Sequence, residues 1–417
     1  MSRIFIFSTF FAIIVSIFAL LQFYEYRSYR RWVRNAYPAE FQRRYLRIAR
    51  TVLVLGNMLF VFQFVLRGSA AYEHPIQQYG ILYPGGIFFA AVVFGFLILL
   101  ARDIVRFLVY WVRHFSRLLI QLSNTESTSV APASPEALSE SRRQFLRLTG
   151  ATTIGVAFGT PLVSSIASAH DYKIIRVPLR FANLPSALHG LTVAQISDVH
   201  SGVYMTGRNM MEIVELTNSL HANIVALTGD HVDSADIQIP SMQKAMKQLK
   251  SDYGIYGCLG NHDHFATADR VSGALRDIDV VMLNNAHRIL TINGEQIAFV
   301  GVDDAGRGAG NFARLEAAAE GLDREMFKVL LSHRPEFFPR AKEAGMDLTL
   351  AGHTHGGQVG PEFWGINLNP AYLVTKYVRG LYQEDGKQLY VNVGVGMVGV
   401  PIRIVPPEIT LITLERA

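Results

Sequence analysis

The chain has 417 residues, of which 50% are hydrophobic and 18% charged, with a mean hydropathy of +0.21. That apolar weight excludes an intrinsically disordered chain and argues against a wholly soluble one, while a lone cysteine, Cys258, excludes an intramolecular disulfide framework. The formal charge of +5 hides two unlike halves: residues 1–150 carry 17 Arg, no Lys and 7 acidic residues, a balance of +10, which leaves residues 151–417 at −5. The basic half is also the oily half, so the expected partner is a lipid bilayer and not nucleic acid.

Three apolar segments open the chain. Residues 4–24 are free of charge and long enough to cross a bilayer core. Residues 51–66 sit at the lower limit for a span and also fit a buried core helix. Residues 79–101 contain Pro84-Gly85-Gly86, an interruption that a membrane helix tolerates where neighbours satisfy the freed backbone groups. Arg27, Arg30, Arg31, Arg34, Arg43, Arg44, Arg47 and Arg50 crowd the stretch between the first two segments; only Arg67 follows the second. Arg102, Arg106, Arg113 and Arg117 follow the third, on one helical face, as in an interfacial helix or a continuation of the span. The positive-inside rule then puts the N-terminus outside and returns the third span to the cytoplasm. Residues 1–122 therefore read as a transmembrane helical region of about three spans plus an interfacial helix.

Residues 123–140, rich in Ser, Thr, Ala and Pro, read as a flexible linker. Residues 141–169 begin Ser141-Arg142-Arg143-Gln144-Phe145-Leu146-Arg147, continue through a mildly apolar stretch and end at Ala167-Ser168-Ala169. This resembles a twin-arginine export signal, which implies the twin-arginine translocation machinery as a partner; a fourth span is the alternative. Both readings place residues 170–417 on the periplasmic or extracellular side of a multi-pass (inner) cell-membrane protein.

From residue 191 onward short apolar runs alternate with helical patterns, which predicts an α/β fold. Strands are expected at 192–196, 224–228, 254–259, 280–283, 296–300, 327–331, 348–351, 389–393 and 408–414, and helices near 208–220, 241–249 and 312–320. The chemistry sits at strand ends: Asp198 and His200, then Asp230 and Asp233, then Asn261 and His262, then His333, then His353 and His355. In open α/β sheets the carboxyl ends of strands gather functional residues, so these loops should converge. Carboxylate, imidazole and amide donors without thiolate suit Mn²⁺, Fe²⁺ or Zn²⁺.

The ordered set Asp198-x-His200, Gly229-Asp230, Gly260-Asn261-His262-Asp263, His333 and Gly352-His353-x-His355 resembles the calcineurin-like metallophosphoesterase superfamily over about residues 172–417. The Gly352-His353-Thr354-His355-Gly356-Gly357-Gln358 ending resembles its membrane-attached YkuE/YaeI-type and transmembrane members. The resemblance implies a four-layer α/β/β/α sandwich with two divalent ions and hydrolysis by a metal-activated hydroxide. It assigns Asp198, His200, Asp230 and His355 to one ion, and Asp230, Asn261, His333 and His353 to the other. It makes His262 the catalytic histidine, with Asp233 as its orienting carboxylate.

Phosphoprotein phosphatases continue the second motif with Arg-Gly, whereas Ser234-Ala235 stand here, which favours a phosphodiesterase or pyrophosphatase of small or lipid-linked substrates. Arg334 is either a phosphate contact or a structural arginine, and His231 and His264 either assist protonation or pack. The apolar stretch 363–382, including Trp364, fits a wall for a lipid tail or ordinary packing, so the substrate is a phosphoester, phospholipid or lipid-linked in one reading. A nucleotide-lipid pyrophosphatase, such as a UDP-diacylglucosamine hydrolase, and a non-catalytic membrane sensor or scaffold are the competing functions.

Overall fold

The computed structural model describes residues 3–67, 70–122, 135–167, 170–306, 313–360, 362–363, 366–367 and 369–417. The chain forms two compact units, Met1–Val61 with Pro84–Val163 and Phe62–Tyr83 with Ser164–Ala417.

Helices α1 (Arg3–Ala36) and α2 (Ala39–Arg67) precede a connection holding the short α3 (Pro75–Gln77), and α4 (Tyr83–Leu122) and α5 (Pro135–Ala167) follow it. Among the described residues, Ala39–Gln63 and Pro75–Leu118 are long and apolar enough to cross a bilayer. Within the first unit Phe18, Phe60, Phe88 and Val92 form an apolar cluster. Gln22 and Asn57 exchange amide hydrogen bonds of 3.0 and 2.8 Å, satisfying polar groups that an apolar environment would otherwise penalise.

Three expectations change here. Pro84 does not interrupt the span: a π-helical turn, Gln78–Leu82, runs directly into α4, and the chain stays helical through the proline. No break separates residues 102–117 from the rest of α4. Residues 135–140, expected to be linker, are the first turns of α5, opened by Pro135 in the position proline favours; residues 123–134 lie outside the described residues. The Arg-Arg motif is helical too, and Arg147 Nε donates to the Ala36 carbonyl at 2.9 Å.

The second unit is built on strands β1 (Lys173–Phe181), β2 (Thr192–Ile196), β3 (Ile224–Thr228), β4 (Ile255–Cys258), β5 (Val280–Met282), β6 (Ala286–Ile292), β7 (Glu295–Gly301), β8 (Phe327–Leu331), β9 (Leu348–Ala351), β10 (Glu362–Phe363), β11 (Ile366–Asn367), β12 (Gly380–Glu384), β13 (Lys387–Val391) and β14 (Glu408–Arg416). One six-stranded sheet runs β1-β14-β2-β3-β4-β5 and the other β12-β13-β9-β8-β7-β6, while β10 and β11 pair separately. Strands β2 to β5 are parallel, as are β7, β8, β9 and β13. The sequence Ile-Val-Ala-Leu-Thr of β3 is buried throughout, as a parallel strand covered on both faces must be.

Leu179, Ile224, Tyr256, Phe299, Phe327, Leu350 and Ile412 help fill the space between the sheets. Helices α6 (Gly207–Asn218), α7 (Ile239–Met246), α8 (Asn261–Phe265) and α9 (Ala268–Arg276) follow β2, β3 and β4. Met210, Ile213, Met242, Val271 and Leu275 of α6, α7 and α9 pack on Val225 and Leu227. On the far side α10 (Leu315–Ala318) and α11 (Phe338–Glu343) lay Leu315, Ala318 and Ala341 against Ala298, Val300 and Leu330. The result is a four-layer α/β/β/α sandwich. All nine expected strands are present; β1, β6, β10, β11 and β12 are additional, and the helix expected at 312–320 contracts to α10. β1 escapes sequence reading because it is an edge strand, exposed over its first four residues and so without a clean alternation.

Candidate metal centre

Each strand-end motif of the sequence lands at the same edge of the sandwich. Asp198 and His200 leave β2, Asp230 and Asp233 leave β3, Asn261 and His262 open α8 after β4, His333 leaves β8, and His353 and His355 leave β9. The two sheets are pinned together there. Gln195 Nε2 donates to Thr228 Oγ1 at 3.0 Å and to the Ala351 carbonyl at 2.9 Å, while His333 Nδ1 donates to the Thr228 carbonyl at 2.8 Å. Asp198, His200, Asp230, His353 and His355 all have φ between 49° and 71°. Left-handed backbone at non-glycine residues costs about 1–2 kcal/mol each and persists only where surroundings over-determine it, which is typical of functional sites. Gly260 and Gly352 let the loops close in, since a Cβ at either would overlap Asp230 or Asp198.

The donors fall into overlapping groups. Asp198, His200 and His355 offer ligand atoms within 4.8 Å of one another, and so do Asp230, His333 and His353. Nε2 of His200 and Nε2 of His355 are 3.0 Å apart, and His355 Nε2 lies 3.3 Å from Asp198 Oδ1. His333 Nε2 is 3.1 Å from Asp230 Oδ2, and His353 Nδ1 is 3.2 Å from His333 Nε2. Asp230 Oδ2 also lies 3.4 Å from His200 Nε2, so this carboxylate belongs to both groups. Asn261 Oδ1 is buried without a hydrogen-bond partner, an expensive arrangement unless a cation or donor faces it. Nitrogen and oxygen donors converging this closely fit divalent ions of the Mn²⁺, Fe²⁺ or Zn²⁺ kind.

The electrostatics agree. Burial opposes ionisation of Asp198, but His355, His200 and His333 overcome it and hold the carboxyl below its ordinary range. Asp230 is held down against burial by His333, His200 and His262. Burial pushes His353 and His355 down to about 3, keeping both imidazoles neutral, as metal ligation needs. His333 is pushed up to about 10 against burial by Asp230 and Asp198, so a cation bound there takes the place of its proton.

His262 differs from expectation in one respect. Its Nδ1 donates to the main-chain carbonyl of Asp233, and not to the Asp233 carboxylate. That carboxylate faces His200 Nδ1 at 4.0 Å and accepts from Ser234 Oγ at 3.2 Å. A carbonyl only accepts, so Nδ1 carries the hydrogen and Nε2 is left to exchange a proton with substrate. Asp233→Asn is therefore expected to cost less than tenfold in kcat, whereas His262→Gln costs about a hundredfold or more with metal retained. Steady-state kinetics of the two variants decide it, and equal losses would return the orienting role to the carboxylate.

A second polar cluster, in which Asp303 and Asp304 join the His264 and Arg334 already noted in the sequence, flanks the first. His264 Nε2 meets Asp303 Oδ1 at 2.8 Å, and Arg334 binds Asp304 through Nε at 2.6 Å and Nη2 at 3.3 Å. Arg334 Nη1 also lies 2.9 Å from His353 Nε2, so this arginine braces a metal-motif histidine. The signal was Asp303-Asp304 just past the carboxyl end of β7, where the other motifs also lie. The Asp303 hydrogen bond raises the His264 pKa against partial burial. A raised histidine contributes stability in full below its unfolded value of about 6.5 and loses it as pH rises through the folded value. Asp303→Asn should thus destabilise the fold more at pH 6 than at pH 9, by about 1 kcal/mol at this largely buried pair. A pH-independent difference in thermal melts would reject this.

Of the apolar stretch after the last motif, Tyr377 and Val378 are buried, while Leu373 and Val374 are 89% and 72% exposed. Thr354 Oγ1 donates to the Val378 carbonyl and Asn369 Nδ2 to the Gly356 carbonyl, each at 2.6 Å, tying the stretch to the histidine motif. Trp364 lies outside the described residues.

A four-layer sandwich with such donors gathered at its strand ends is the architecture of a metal-dependent phosphoesterase. Residues 191–357 match the family of calcineurin-like phosphoesterases. The chain is 28% identical to the Bacillus subtilis (strain 168) metallophosphoesterase YkuE over 286 residues, 66% of this chain and 98% of that protein. It is 31% identical to a Danio rerio transmembrane protein with metallophosphoesterase domain over 60% of this chain and 59% of that one. The Bos taurus protein of the same name is 29% identical, over 65% and 64%. The alignments thus span about three-fifths of the length of these vertebrate relatives. The chain carries a calcineurin-like metallophosphoesterase domain.

Proposed function

We propose that the chain is a membrane-anchored phosphodiesterase with two divalent ions, acting on a lipid-linked phosphodiester at the periplasmic or extracellular face. The observation that carries this reading is the pair of donor groups sharing Asp230. Asp198, His200, Asp230 and His355 would hold one ion, and Asp230, Asn261, His333 and His353 the other. When bound, such a pair supplies charge neutralisation of the phosphoryl group and activation of water near neutral pH. His262 Nε2 protonates the leaving oxygen, with the Asp233 carbonyl fixing its ring. The backbone amides of Ser234 and Ala235 are turned onto Gln238 Oε1, at 2.9 and 3.0 Å, where phosphoprotein phosphatases carry a phosphate-binding arginine. A diester bears one negative charge fewer than a monoester dianion and needs that arginine less.

Topology draws support from chain organisation. Residues 62–83 and 164–417 share one compact unit, so both must lie on the same face of the bilayer. The arginine distribution favours the outside for both, with residues 25–50 and 102–147 toward the cytoplasm. Ser164 Oγ donates to the Arg403 carbonyl at 2.8 Å and accepts from the Arg403 N–H at 3.0 Å. Cleavage near Ala167 would sever that tie, which favours an export segment that stays attached whether or not the twin-arginine machinery carries it; residues 168–169 lie outside the described residues.

The test is a Mn²⁺, Fe²⁺ and Zn²⁺ activity panel on the full chain in detergent. Aryl monoesters, aryl diesters, nucleotide pyrophosphates and phospholipids are compared, with Asp230→Asn as blank. Diester and phospholipid cleavage is expected to lead. Faster monoester hydrolysis would sink the diesterase reading. Preferred pyrophosphate cleavage, together with a C-terminal reporter active in the cytoplasm, would turn it into a nucleotide-lipid pyrophosphatase. A metal-loaded chain that cleaves nothing would make it a scaffold.

A further inference from the structure

We infer that the buried face of the connection between α2 and α4, formed by Tyr72, Gln78, Leu82 and Tyr83 within residues 70–83, is a working part of the metal centre. It buttresses the loop that follows His200, so that tight binding of the ion assigned to Asp198, His200 and His355 requires the connection in place. The inference rests on that ligand assignment and adds to it a segment far away in sequence.

Tyr72 and Leu82 are buried to within 1% and, with Tyr83, form one apolar cluster with Val203, Tyr204 and Met397. Polar contacts fix its register. Gln78 Nε2 donates to the Val203 carbonyl at 3.3 Å, the Tyr83 hydroxyl lies 3.2 Å from His170 Nε2, and the Tyr83 ring stands edge-on to Tyr204 at 5.4 Å. The covered residues are not remote from the donors. Val203 and Tyr204 lie three and four positions beyond His200. Ser201 takes its N–H to the His231 carbonyl and gives its carbonyl to the Asp233 N–H, both at 3.0 Å. Met397 ends a loop in which Val395 N–H bonds the Ser197 carbonyl at 3.0 Å and Gly396 N–H bonds the Asp198 carbonyl at 2.8 Å. The cluster therefore grips the two loops that bracket Asp198 and His200.

Both ligands hold left-handed backbone, with φ of 54° and 49°. Such conformations survive only while the surroundings enforce them. Removing the cluster would bare Val203, Tyr204 and Met397 to water and free that loop to relax, moving His200 Nε2 off the point it shares with His355. The enforcing segment lies where two helices apolar enough to cross a bilayer are joined, and from Pro75 onward it is the start of the second of them. Correct insertion of that helix pair thereby becomes a condition for assembling the catalytic metal site.

The test uses the full chain in detergent, comparing wild type with Tyr72→Ala, Leu82→Ser, Gln78→Ala and Ile76→Ser, the last 75% exposed in the same connection. Mn²⁺ titration followed by electron paramagnetic resonance separates a coupled pair from a single ion. Tyr72→Ala and Leu82→Ser are expected to weaken one of the two ions at least tenfold and abolish the coupled signal at concentrations that saturate wild type. Gln78→Ala, which keeps the apolar cluster, weakens that ion about threefold, and Ile76→Ser leaves it unchanged. Melting of each variant in chelator reports its fold separately. Two ions held with wild-type affinity in both Tyr72→Ala and Gln78→Ala would overturn the inference alone, whatever the melting temperatures do. Wild type that fails to bind two Mn²⁺ would overturn the ligand assignment and this inference with it.

Discussion

Asp230→Asn is expected to lower phosphoester hydrolysis at least a thousandfold and to remove the second metal equivalent. Asp230 is 2% exposed, and one oxygen lies 3.1 Å from His333 Nε2 and 3.4 Å from His200 Nε2, while the other accepts the His262 N–H at 2.8 Å. Asparagine keeps the volume, so the sandwich should survive. It surrenders the charge and turns an acceptor into a donor facing two imidazoles. A thousandfold corresponds to about 4 kcal/mol of transition-state stabilisation, a reasonable share for a group that serves both donor sets. Metal analysis by mass spectrometry, with kcat/KM and a melt in chelator, separates the outcomes. A folded Asn variant holding two ions and hydrolysing within tenfold of wild type would end the shared-carboxylate reading.

The donors were legible in the sequence because each closes a short apolar run, and a parallel strand delivers whatever follows it to one edge of the sheet. Asp198, Asp230, Asn261, His333 and His353 could thus be assembled without coordinates. The left-handed backbone of Asp198, Asp230 and His353 could not, since aspartate and histidine, though several-fold enriched in that region, adopt it at only a small minority of positions. The orienting partner of His262 was misread for a related reason. Asp233 stands at the right position, but the loop turns its carbonyl inward and its carboxylate toward His200, and sequence spacing does not distinguish main chain from side chain.

Other parts were invisible because they depend on contacts between segments far apart in the chain. Residues 70–83 look like a short loop between membrane helices, and their aromatic residues suit an interfacial belt as readily as a protein contact. Only the packing of Tyr72 and Leu82 on Val203 and Tyr204 shows that they belong to the sandwich. β1 was missed because most of it is exposed, and its pairing with β14, at the other end of the unit, is what makes it a strand. Asp303 and Asp304 carry no motif of their own; their role emerges when β7 brings them beside His264 and Arg334.

Arg403→Met should cost the second unit about 3–5 kcal/mol, the sum for four buried carbonyls left without a donor, and roughly 6–20 °C in melting temperature for a unit of this size. Arg403 is fully buried, yet no carboxylate pairs with it among the described residues. Its guanidinium spends its donors on main-chain carbonyls instead: Nε on Val405 at 2.8 Å, Nη1 on Gly396, and Nη2 on Val393 and on Gly394 at 2.8 Å. Burial lowers its pKa to about 10, so it stays protonated at neutral pH. Methionine fills much of the volume but leaves four buried carbonyls unpaired, each worth about 1 kcal/mol or more. Arg403→Lys is expected to recover less than half of the loss, because one ammonium cannot reproduce a planar fork whose donors diverge to four acceptors. The loop it holds also accepts Asp198, whose carbonyl takes the Gly396 N–H, so metal affinity should fall along with stability. Thermal melts of both variants, with and without Mn²⁺, supply the measurement. A methionine variant melting within 2 °C of wild type would mean that these carbonyls find other partners, and that the guanidinium is dispensable to the loop.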